Sequence, residues 1–454
     1  MGSGGLVVNE QARIGRRNLL KYSASGLALV SAGLSGCSQA KRGPEMVSKE
    51  KGRPPPSDRV VVGCIGTGDL GRRHHLANCL LPNERVEVAA VCDVDRNHAD
   101  MAARIVFDRT GRRVGVYKDF RKLLERKDID AVLTAVPDHW HALTAIAAME
   151  AGKDIYCEKP LSLTIEEGRA MVAAARRYGT VTQTGSQQRS DARFRQACEL
   201  VRNGKIGKLK RVDTVLHAVG AGEWRPVETP PPHLDWDFWL GPAPYADYSP
   251  NRVHYQFRWF YDYSGGVMTD WGAHHNDIAQ WGMGTDHSGP VWVDGRKATF
   301  HEEGLHTVPG KFDVHYKYAD GVELFCHTDT QKYDDGTEFG NGVKFTGSDG
   351  WIFVCRGAIH ASDPALLEIE FGPNDVRLYK SDDHHNNWLD CIQSRKRCIC
   401  DFEIGHRSVS ICHIGNISMR LGRPLEWDPV KEEFVGDEAA NQVVSKPMRA
   451  PWHL

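Results

Sequence analysis

The sequence predicts an α/β protein whose N-terminal half is a doubly wound parallel sheet. From residue 59 onward, short runs rich in β-branched residues alternate with segments of helical periodicity, the pattern of strands joined by crossover helices. The first run, residues 59–65, reads as a fully buried strand and is followed at once by a glycine-rich turn and a helix. A chain of 454 residues fits two domains with appendages.

The first 58 residues precede this pattern and predict an export signal with a tether. Residues 1–37 carry Arg16-Arg17, typical of twin-arginine signals, and then a weakly apolar run that is too short for a membrane-spanning helix. The run ends in a sequence that resembles a lipobox, which makes Cys37 the expected lipidation site; a simple amphipathic leader with a chance cysteine is the alternative. Residues 38–58 are polar and proline-rich, as in a tether. The expected location is the periplasm, as a lipoprotein exported by the twin-arginine route.

The turn after the first strand has the glycine spacing of a dinucleotide-binding loop. It lies between a strand and a helix, and a second strand follows at 86–93, which is the context that makes this spacing specific. The three glycines would permit a tight turn, let backbone N–H groups approach a diphosphate and let the helix pack on the sheet. A turn of this type without a nucleotide is the alternative. The predicted cofactor-binding loop consists of Gly66, Thr67, Gly68, Asp69, Leu70 and Gly71.

An acidic residue at the end of the second strand indicates which dinucleotide is bound. Asp93 would accept hydrogen bonds from the adenosine ribose hydroxyls, and its charge would repel the 2′-phosphate of NADP. Arg96, three residues later, could soften that repulsion. The sequence therefore predicts NAD as the cofactor of a Rossmann domain over residues 59–182, with NADP as the alternative.

The next two predicted strands place polar side chains at the same edge of the sheet. Residues 131–137 and 154–160 each end in a proline at the carboxyl end of a strand, where open α/β sheets bind ligands. A lysine at a strand end is usually solvated, so Lys159 is weak evidence by itself. His74 and His75, beside the glycine loop, are expected to be exposed. The residues expected near the nicotinamide are Pro137, His139, His141, Glu158 and Lys159.

A second group of residues able to do acid–base chemistry begins a helix in the second half of the chain. Residues 265–277 open this helix, which is predicted to continue to residue 284. Asp270 and His274 are four residues apart and would share a face, while Asp277 lies one turn beyond. A carboxylate beside an imidazole can fix its tautomer and raise its basicity, although such pairs are often structural.

Polar and aromatic residues shortly before this helix suit a polyol ligand. Flat aromatic side chains stack on sugar faces, and loops at this position could cover the site, but packing is an equally good explanation for many of them. Gln187, Gln188 and Arg189 could reach the edge of the pocket. Substrate contacts are expected from Tyr255, Arg258, Trp259 and Asp277.

Three motifs in order carry a family resemblance. The GxGxxG turn, Glu158-Lys159-Pro160 and the segment GGVMTDWGAHHND at 265–277 resemble the Gfo/Idh/MocA family, over about residues 59–430. The resemblance implies that residues 183–454 form an α/β domain with an open, mainly antiparallel sheet, which often serves as an oligomer interface. A homo-oligomer, either a dimer or a tetramer, is therefore expected. The resemblance also implies that Lys159, Asp270 and His274 line the substrate site and that the Lys159–Pro160 bond is cis.

These residues suit the oxidation of a secondary alcohol. We assign His274 as the general base, Asp270 as the group that orients it or receives the proton, and Lys159 as the positive charge beside the developing alkoxide. The expected activity is NAD(P)-dependent oxidation or reduction of a hydroxyl of a sugar, a glycoside or an inositol. A tightly held cofactor is expected, because no nicotinamide pool exists outside the cytoplasm. A redox-neutral NAD-dependent glycosidase and a non-catalytic nucleotide-binding protein are the alternatives.

Composition argues against several other partners. The formal net charge of -2 provides no basic field for nucleic acid. The 12 cysteines are too sparse for a disulfide scaffold, and Cys398, Cys400 and nearby histidines are poorly spaced for tetrahedral zinc, so no metal site is expected. Contact with a membrane is expected only through the lipid anchor.

Overall fold

The structure, a computed structural model, describes residues 59–454. The predicted leader, the tether and the lipidation site Cys37 lie outside the described residues. All described residues fall in one compact unit. Within residues 59–454, no helix has both the length and the apolar character needed to cross a membrane.

Six parallel strands form the first sheet, as the alternating pattern predicts. They are β1 (Val60–Ile65), β2 (Val86–Cys92), β3 (Gly115–Tyr117), β4 (Ala131–Thr134), β5 (Asp154–Cys157) and β6 (Thr182–Thr184). Their order is β3-β2-β1-β4-β5-β6, so β1 and β4 lie side by side where the winding direction reverses. Ligands of such folds bind outside the carboxyl ends of the strands at this point.

Helices cover both faces of this sheet, and their ends follow from local sequence. Asp95 caps the helix that follows β2 by accepting from the backbone N–H of Asn97, and Gly111 ends it in a left-handed conformation. The helix after β1 is a π-helix, a rare form with i→i+5 hydrogen bonds. The α-helices are Arg96–Thr110, Phe120–Leu124, His141–Glu150 and Ile165–Tyr178; the π-helix is Leu70–Leu80, and the 3-10 turns are Asp138–Trp140 and Gln187–Ser190.

Nine strands form the second sheet, which is open and mainly antiparallel, so the predicted fold class is confirmed. They are β7 (Arg211–Val215), β8 (Trp292–Thr299), β9 (Lys311–Lys317), β10 (Glu323–His327), β13 (Gly342–Thr346), β14 (Trp351–Val354), β15 (Ile359–Ala361), β16 (Leu425–Asp428) and β17 (Glu433–Phe434); β11 (Gln331–Lys332) and β12 (Glu338–Phe339) form a separate ribbon. Their order is β15-β14-β13-β7-β10-β9-β8-β16-β17, and only the β7–β10 pair is parallel.

The helix predicted to open within residues 265–277 and to continue to residue 284 is divided in two at Trp271. Its parts are Val267–Asp270 and Gly272–Met283, and the second part is buried along almost its whole length. The other helical segments of this half are Ala192–Arg202, Trp236–Leu240, His254–Trp259, Pro364–Glu368, His384–Ser394, Phe402–Leu421 and Glu438–Asn441.

The C-terminal segment returns to the first sheet, so the predicted boundary at residue 182 is not a clean division. Trp388 and Leu389, on the helix His384–Ser394, share an apolar core with Val60 and Val62 of β1. Thr184 donates its backbone N–H to the carbonyl of Cys400 at 2.7 Å. The second contact fixes the carboxyl end of β6, shortly before Arg189.

Candidate active site

A cavity of about 620 Å³ lies at the carboxyl ends of β1, β2, β4 and β5. The glycine loop forms one wall, and the segment from His254 to Arg258 forms the other. A volume of several hundred Å³ is typical of a cofactor or small-molecule site.

The three glycines of the loop have the backbone roles expected of them. Gly66 has φ +80°, and a Cβ there would lie 2.7 Å from the backbone of Ala135. A Cβ on Gly71 would lie 2.1 Å from the carbonyl oxygen of Gly66, so this glycine permits the helix to pack closely. A Cβ on Gly68 would meet nothing within 4 Å and would extend into open space beside the cavity. The cradle therefore fits a diphosphate that approaches the bare backbone at Gly68.

The other loop residues divide into those that line the cavity and those that shape it. Asp69 and Leu70 line it, whereas Thr67 is fully buried. Thr67 donates its backbone N–H to the carboxylate of Asp93 at 2.8 Å, and Asp93 also accepts from the N–H of Asp95 at 2.9 Å. Asp93 lines the cavity and ties the end of β2 to the glycine loop. Burial raises the pKa of Asp93.

Arg96, which could offset the repulsion between Asp93 and the 2′-phosphate of NADP, lies outside the cavity lining. Arg96 is exposed, lies 3.4 Å from Asp100 and does not line the cavity. The carboxylate of Asp93 therefore faces the ligand without help from Arg96, which favours NAD.

Two of the histidines predicted to contact cofactor do not line the cavity. His139 is buried, its Nε2 lies 3.0 Å from the carbonyl oxygen of Trp239, and burial lowers its pKa to about 4. His141 is held between the carbonyl oxygens of Pro160 (2.7 Å) and Val136 (2.9 Å). The expected cofactor contacts of His139 and His141 are wrong, because both rings turn inward and fix the loop backbone.

Neighbouring residues line the cavity in their place. Pro137 does so as predicted, and so do Asp138 and Trp140, which belong to the same segment, 137–141, that the sequence places near the nicotinamide. Asp138 accepts a hydrogen bond of 2.5 Å from the hydroxyl of Ser264. Burial raises the pKa of the Asp138 carboxyl.

Glu158 and Lys159 occupy the cavity floor, at the end of β5. Glu158 accepts from the N–H of Lys159 at 3.0 Å and lies 3.0 Å from Nε2 of His75. Burial opposes its charge, but His75 and Lys159 hold the pKa of Glu158 at about 2. His75 is fully buried, contrary to expectation, because His385 from the C-terminal segment packs against it, with 2.9 Å between ring nitrogens.

The structure brings Lys159 and Asp270 together from the two halves of the chain. The ammonium of Lys159 contacts the carboxylate of Asp270 and donates to its carbonyl oxygen at 3.1 Å. Nε of Arg258 lies 3.8 Å from the same carboxylate. Although burial favours the neutral acid, Lys159 and Arg258 lower the pKa of Asp270. The Lys159–Pro160 bond is cis, as expected.

Neither His274 nor Asp270 lines the cavity itself, and His274 does not form the predicted couple with Asp270. His274 is 4% exposed, and its Nδ1 has no hydrogen-bond partner among the described residues. Burial and the charge of Lys159 lower the pKa of His274 well below its usual value. The predicted couple is wrong because the carboxylate of Asp270 turns to Lys159, and the helix is interrupted between the two residues at Trp271.

Of the four residues predicted to contact substrate, two line the cavity and two do not. Tyr255 and Arg258 line the cavity. Trp259 does not: it is 6% exposed, and its ring packs 5.9 Å from that of His306. Asp277 does not line the cavity either, because it is fully buried against Arg189. The expected substrate contacts of Trp259 and Asp277 are therefore wrong.

Two family models match the chain and together cover most of the described residues. Residues 60–186 match the model described as "Oxidoreductase family, NAD-binding Rossmann fold". Residues 205–454 match the one described as "Oxidoreductase family, C-terminal alpha/beta domain". The cofactor of the first domain is accordingly NAD.

Curated relatives align over part of the chain. An uncharacterised oxidoreductase, YrbE, of Bacillus subtilis is 33% identical over 150 residues, which is 33% of this chain and 42% of that protein. A "Glycosyl hydrolase family 109 protein" of Shewanella pealeana is 31% identical over 209 residues, 43% of this chain and 44% of its own length. The chain thus spans less than half the length of these relatives.

Solved structures share the fold over nearly their whole length. The aldose-aldose oxidoreductase of Caulobacter crescentus, complexed with glycerol, has a TM-score of 0.58 at 18% identity, covering 81% of this chain and 99% of its own. An oxidoreductase domain protein of Kribbella flavida has a TM-score of 0.60 at 23% identity, covering 82% and 99%.

Proposed function

The chain belongs to the Gfo/Idh/MocA oxidoreductase family, and on that premise we propose that it transfers hydride between NAD and a secondary hydroxyl of a sugar, a glycoside or an inositol. The observation that carries the proposal is the Lys159–Asp270 contact at the cavity floor. It joins a cation that follows β5 to a carboxylate of the second half beside a dinucleotide cavity.

The residues around this contact can assist the oxidation of an alcohol. NAD, when bound, supplies the hydride acceptor. We assign the hydroxyl proton to His274, because Nδ1 of this imidazole has no hydrogen-bond partner among the described residues and the charge of Lys159 acts on the ring. The ammonium of Lys159 stabilises the negative charge that develops on the substrate oxygen. Asp270 positions Lys159 rather than His274.

Two residues of the cavity wall suit a small polar ligand. Tyr255, 62% exposed, and Arg258 present an aromatic face and a guanidinium beside Asp270. The guanidinium of Arg258 lies 4.7 Å from the centre of the Tyr255 ring, which orders both side chains. This pair is suited to stack on and donate to a sugar ring.

A redox-neutral glycosidase is the second candidate. The sequence likeness to glycosyl hydrolase family 109 proteins favours it. In that reaction a sugar carbon is oxidised, the glycosidic bond breaks by elimination, water adds and the carbon is reduced again, so the NAD is regenerated in place. The same Lys159 and His274 would serve the first and last steps.

The place of action is also a proposal. The twin-arginine pair and Cys37 support an exported lipoprotein, which would retain NAD because no free pool surrounds it. A lipid-modified N-terminal peptide, detected by mass spectrometry in wild type and lost in Cys37→Ser, supports it; an unmodified leader in the membrane fraction overturns it. The open second sheet supports the proposed homo-oligomer, which the mass of the purified particle tests.

The activity is tested on the purified full-length protein. Nucleotide released on denaturation is identified by mass spectrometry, and the protein-bound cofactor is then followed at the reduced-nicotinamide absorbance during a panel of sugars, inositols and glycosides. Reduction by one polyol with reoxidation by a second supports the oxidoreductase. Glycoside hydrolysis without net change in absorbance supports the glycosidase. Failure of every compound to do either overturns both.

A further inference from the structure

A group of imidazoles lies around the buried carboxylate of Asp95 in the cavity lining. Asp95, His98 and His254 all line the cavity, and His233 lies beside them. Asp95 and His98 lie at the start of the helix Arg96–Thr110, whereas His233 and His254 come from the second half of the chain. The group therefore connects the two halves.

The backbone fixes this meeting of distant segments. Asp95 and Leu234 form an isolated antiparallel bridge. The N–H of Arg96 donates to the carbonyl of His233 at 2.9 Å, and the N–H of Asp235 donates to that of Val94 at 3.1 Å. The side chains of Asp95 and His233 are thus held near each other by main-chain hydrogen bonds.

The distances within the group are those of ligands around a shared ion rather than those of hydrogen bonds. Nε2 of His254 and Nε2 of His233 each lie 3.8 Å from Oδ2 of Asp95. A hydrogen bond would need about 2.7–3.2 Å. Two donor atoms bound tetrahedrally to one Zn²⁺, each about 2.1 Å from it, lie about 3.4 Å apart. Donor atoms of Asp95, His98 and His254 all fall within 4.8 Å of one another.

One carboxylate oxygen of Asp95 accepts a hydrogen bond within the protein, and the other does not. Oδ1 accepts from the N–H of Asn97 at 2.9 Å and caps the helix. Oδ2 accepts no hydrogen bond from any residue among 59–454, although Asp95 is only 3% exposed. His254 is held with φ +53°, a backbone conformation that non-glycine residues rarely adopt. Oδ2 therefore faces the imidazoles of His233 and His254 from the cavity lining without a hydrogen bond to either.

We propose that Asp95, His98 and His254 bind a first-row divalent transition-metal ion such as Zn²⁺. Imidazole nitrogens with one carboxylate oxygen suit such an ion, whereas Ca²⁺ and Mg²⁺ prefer oxygen ligands alone. His233 supplies a fourth nitrogen at the edge of the group. The sequence shows no local metal-binding spacing, because the ligands come from positions 95, 98 and 254.

The ion would act as a clamp on the cavity. It would tie the helix after β2 to the segment from His254 to Arg258, which forms the far wall. Asp93, the residue expected to hold the adenosine ribose, lies two positions from Asp95 and lines the same cavity. The bound ion would therefore slow the release of NAD without taking part in hydride transfer.

Metal binding is tested by calorimetric titration of the EDTA-treated, full-length protein with Zn²⁺. Wild type should bind one ion per chain, and His98→Ala and His254→Asn should each weaken this binding by at least ~100-fold, more than the loss of an outer hydrogen bond to a ligand. Asparagine at position 254 tolerates the left-handed backbone. Asp95→Asn keeps the helix cap while removing the charge.

The control must separate this group from other histidines and from the cysteines. His360→Ala, which removes an exposed imidazole on β15, should bind Zn²⁺ as wild type does. Co²⁺ bound to nitrogen and oxygen should give a visible spectrum without the intense near-ultraviolet charge-transfer bands of a thiolate complex. Absence of saturable binding to wild type, equal binding to the His98 and His254 variants, or a thiolate spectrum overturns the site.

The effect of the ion on cofactor release is tested separately. The rate of NAD release is measured after dilution of the protein into a nucleotide scavenger. Zn²⁺ should slow release at least ~10-fold from wild type and from His360→Ala, but not from His254→Asn. Equal release rates with and without Zn²⁺, when the ion is bound, overturn the clamp. Neither measurement uses turnover, so both stay decisive if the proposed activity fails.

Discussion

Two ion pairs in this protein each join a basic side chain to an aspartate, and they differ in what surrounds them. Lys159 pairs with Asp270 and Arg189 pairs with Asp277, and both aspartates belong to one segment of the second half. The side chains of the first pair are 13% and 14% exposed, and those of the second are 1% and 0% exposed.

The difference lies in what else each carboxylate contacts. Asp277 receives two hydrogen bonds of 2.8 Å from Arg189 and one of 2.5 Å from Ser408, so its acceptor sites are occupied by protein. Asp270 contacts Lys159 and Arg258, which both line the cavity. A fully satisfied buried pair fixes the fold, whereas a pair at a cavity can exchange one partner for a ligand.

Replacement of Lys159 by methionine tests the cavity pair and should have the largest effect on activity. Lys159→Met removes the positive charge beside the substrate oxygen, so the rate of hydride transfer should fall at least ~10²-fold. Stability should fall less than in the Arg189 variant below, because Arg258 remains beside Asp270. Single-turnover absorbance and urea unfolding measure the two effects.

The matched control is Lys208→Met, which removes an exposed lysine far from the cavity in sequence. It should leave both quantities unchanged. Normal hydride transfer by Lys159→Met would show that the contact with Asp270 serves the fold alone.

Replacement of Arg189 by methionine tests the buried pair and should have the largest effect on stability. Arg189→Met leaves the carboxylate of Asp277 buried without its cation, which typically costs about 3–5 kcal/mol of the free energy of unfolding. The rate of hydride transfer per folded molecule should stay near that of wild type. Urea unfolding followed by active-site titration separates the two quantities.

A double variant checks the physical reason. Arg189→Met with Asp277→Leu removes both buried charges and leaves only the partly exposed Asp286 without its arginine, so it should recover part of the lost stability. A double variant less stable than Arg189→Met would mean that the methionine itself, and not the unpaired charge, causes the loss.

The glycine loop and the two strand-end motifs could be read from the sequence because their roles are local. A tight turn at Gly66 and close packing at Gly71 are properties of the backbone beside them. The meeting of Lys159 with Asp270 was expected from the order of three motifs. None of these inferences needed knowledge of which distant segment covers the site.

The burial of individual polar side chains could not be predicted from the sequence in this way. His75 lies inside because His385, 310 positions later, packs on it, and Asp277 lies inside because Arg189 and Ser408 close around it. Helical spacing places Asp270 and Asp277 near one another but does not say which contacts the cavity lining. Asp270 pairs with Lys159 instead of the predicted His274. Spacing along one helix cannot show this, because it does not give the position of Lys159.

Acid should weaken the fold before it discharges Asp270. Burial lowers the pKa of His275 and His384 to about 4 and that of His413 to about 3. The unfolded chain takes up these protons as pH falls below about 6.5, while the folded chain does not, so stability declines between about pH 6.5 and pH 4. Each such group contributes up to about 1.4 kcal/mol per pH unit.

The pair at the cavity behaves differently with pH. Because the pKa of Asp270 is lowered, its contribution is complete above about pH 4 and is lost only as pH falls further. Between about pH 7 and pH 5 Glu167 opposes the histidines, because burial raises its pKa to about 7. His275→Gln should therefore be compared with wild type by urea unfolding, and it should reduce the proton uptake on unfolding by about one. Equal proton uptake by the two proteins would contradict the neutral, buried state of this ring.

Two glycines of the loop differ in the same way, and their replacement should have smaller effects. Gly68 borders the cavity, whereas Gly71 packs against the backbone of Gly66. Gly68→Ala adds a methyl group where no protein atom lies within 4 Å, so stability should be unchanged. The methyl group would stand where a diphosphate meets the backbone, so NAD binding should weaken about tenfold, which is about 1.4 kcal/mol.

Gly71→Ala should instead lower both quantities, because its methyl group would lie 2.1 Å from the carbonyl oxygen of Gly66. Overpacking of this kind costs about 1–3 kcal/mol of stability, and the shifted loop would bind NAD less well. Calorimetry with NAD and urea unfolding of the two variants form the test. If Gly68→Ala lost stability but kept its affinity, the open side of the loop would not be where the dinucleotide approaches, and the cavity would have to bind its ligand from the far wall.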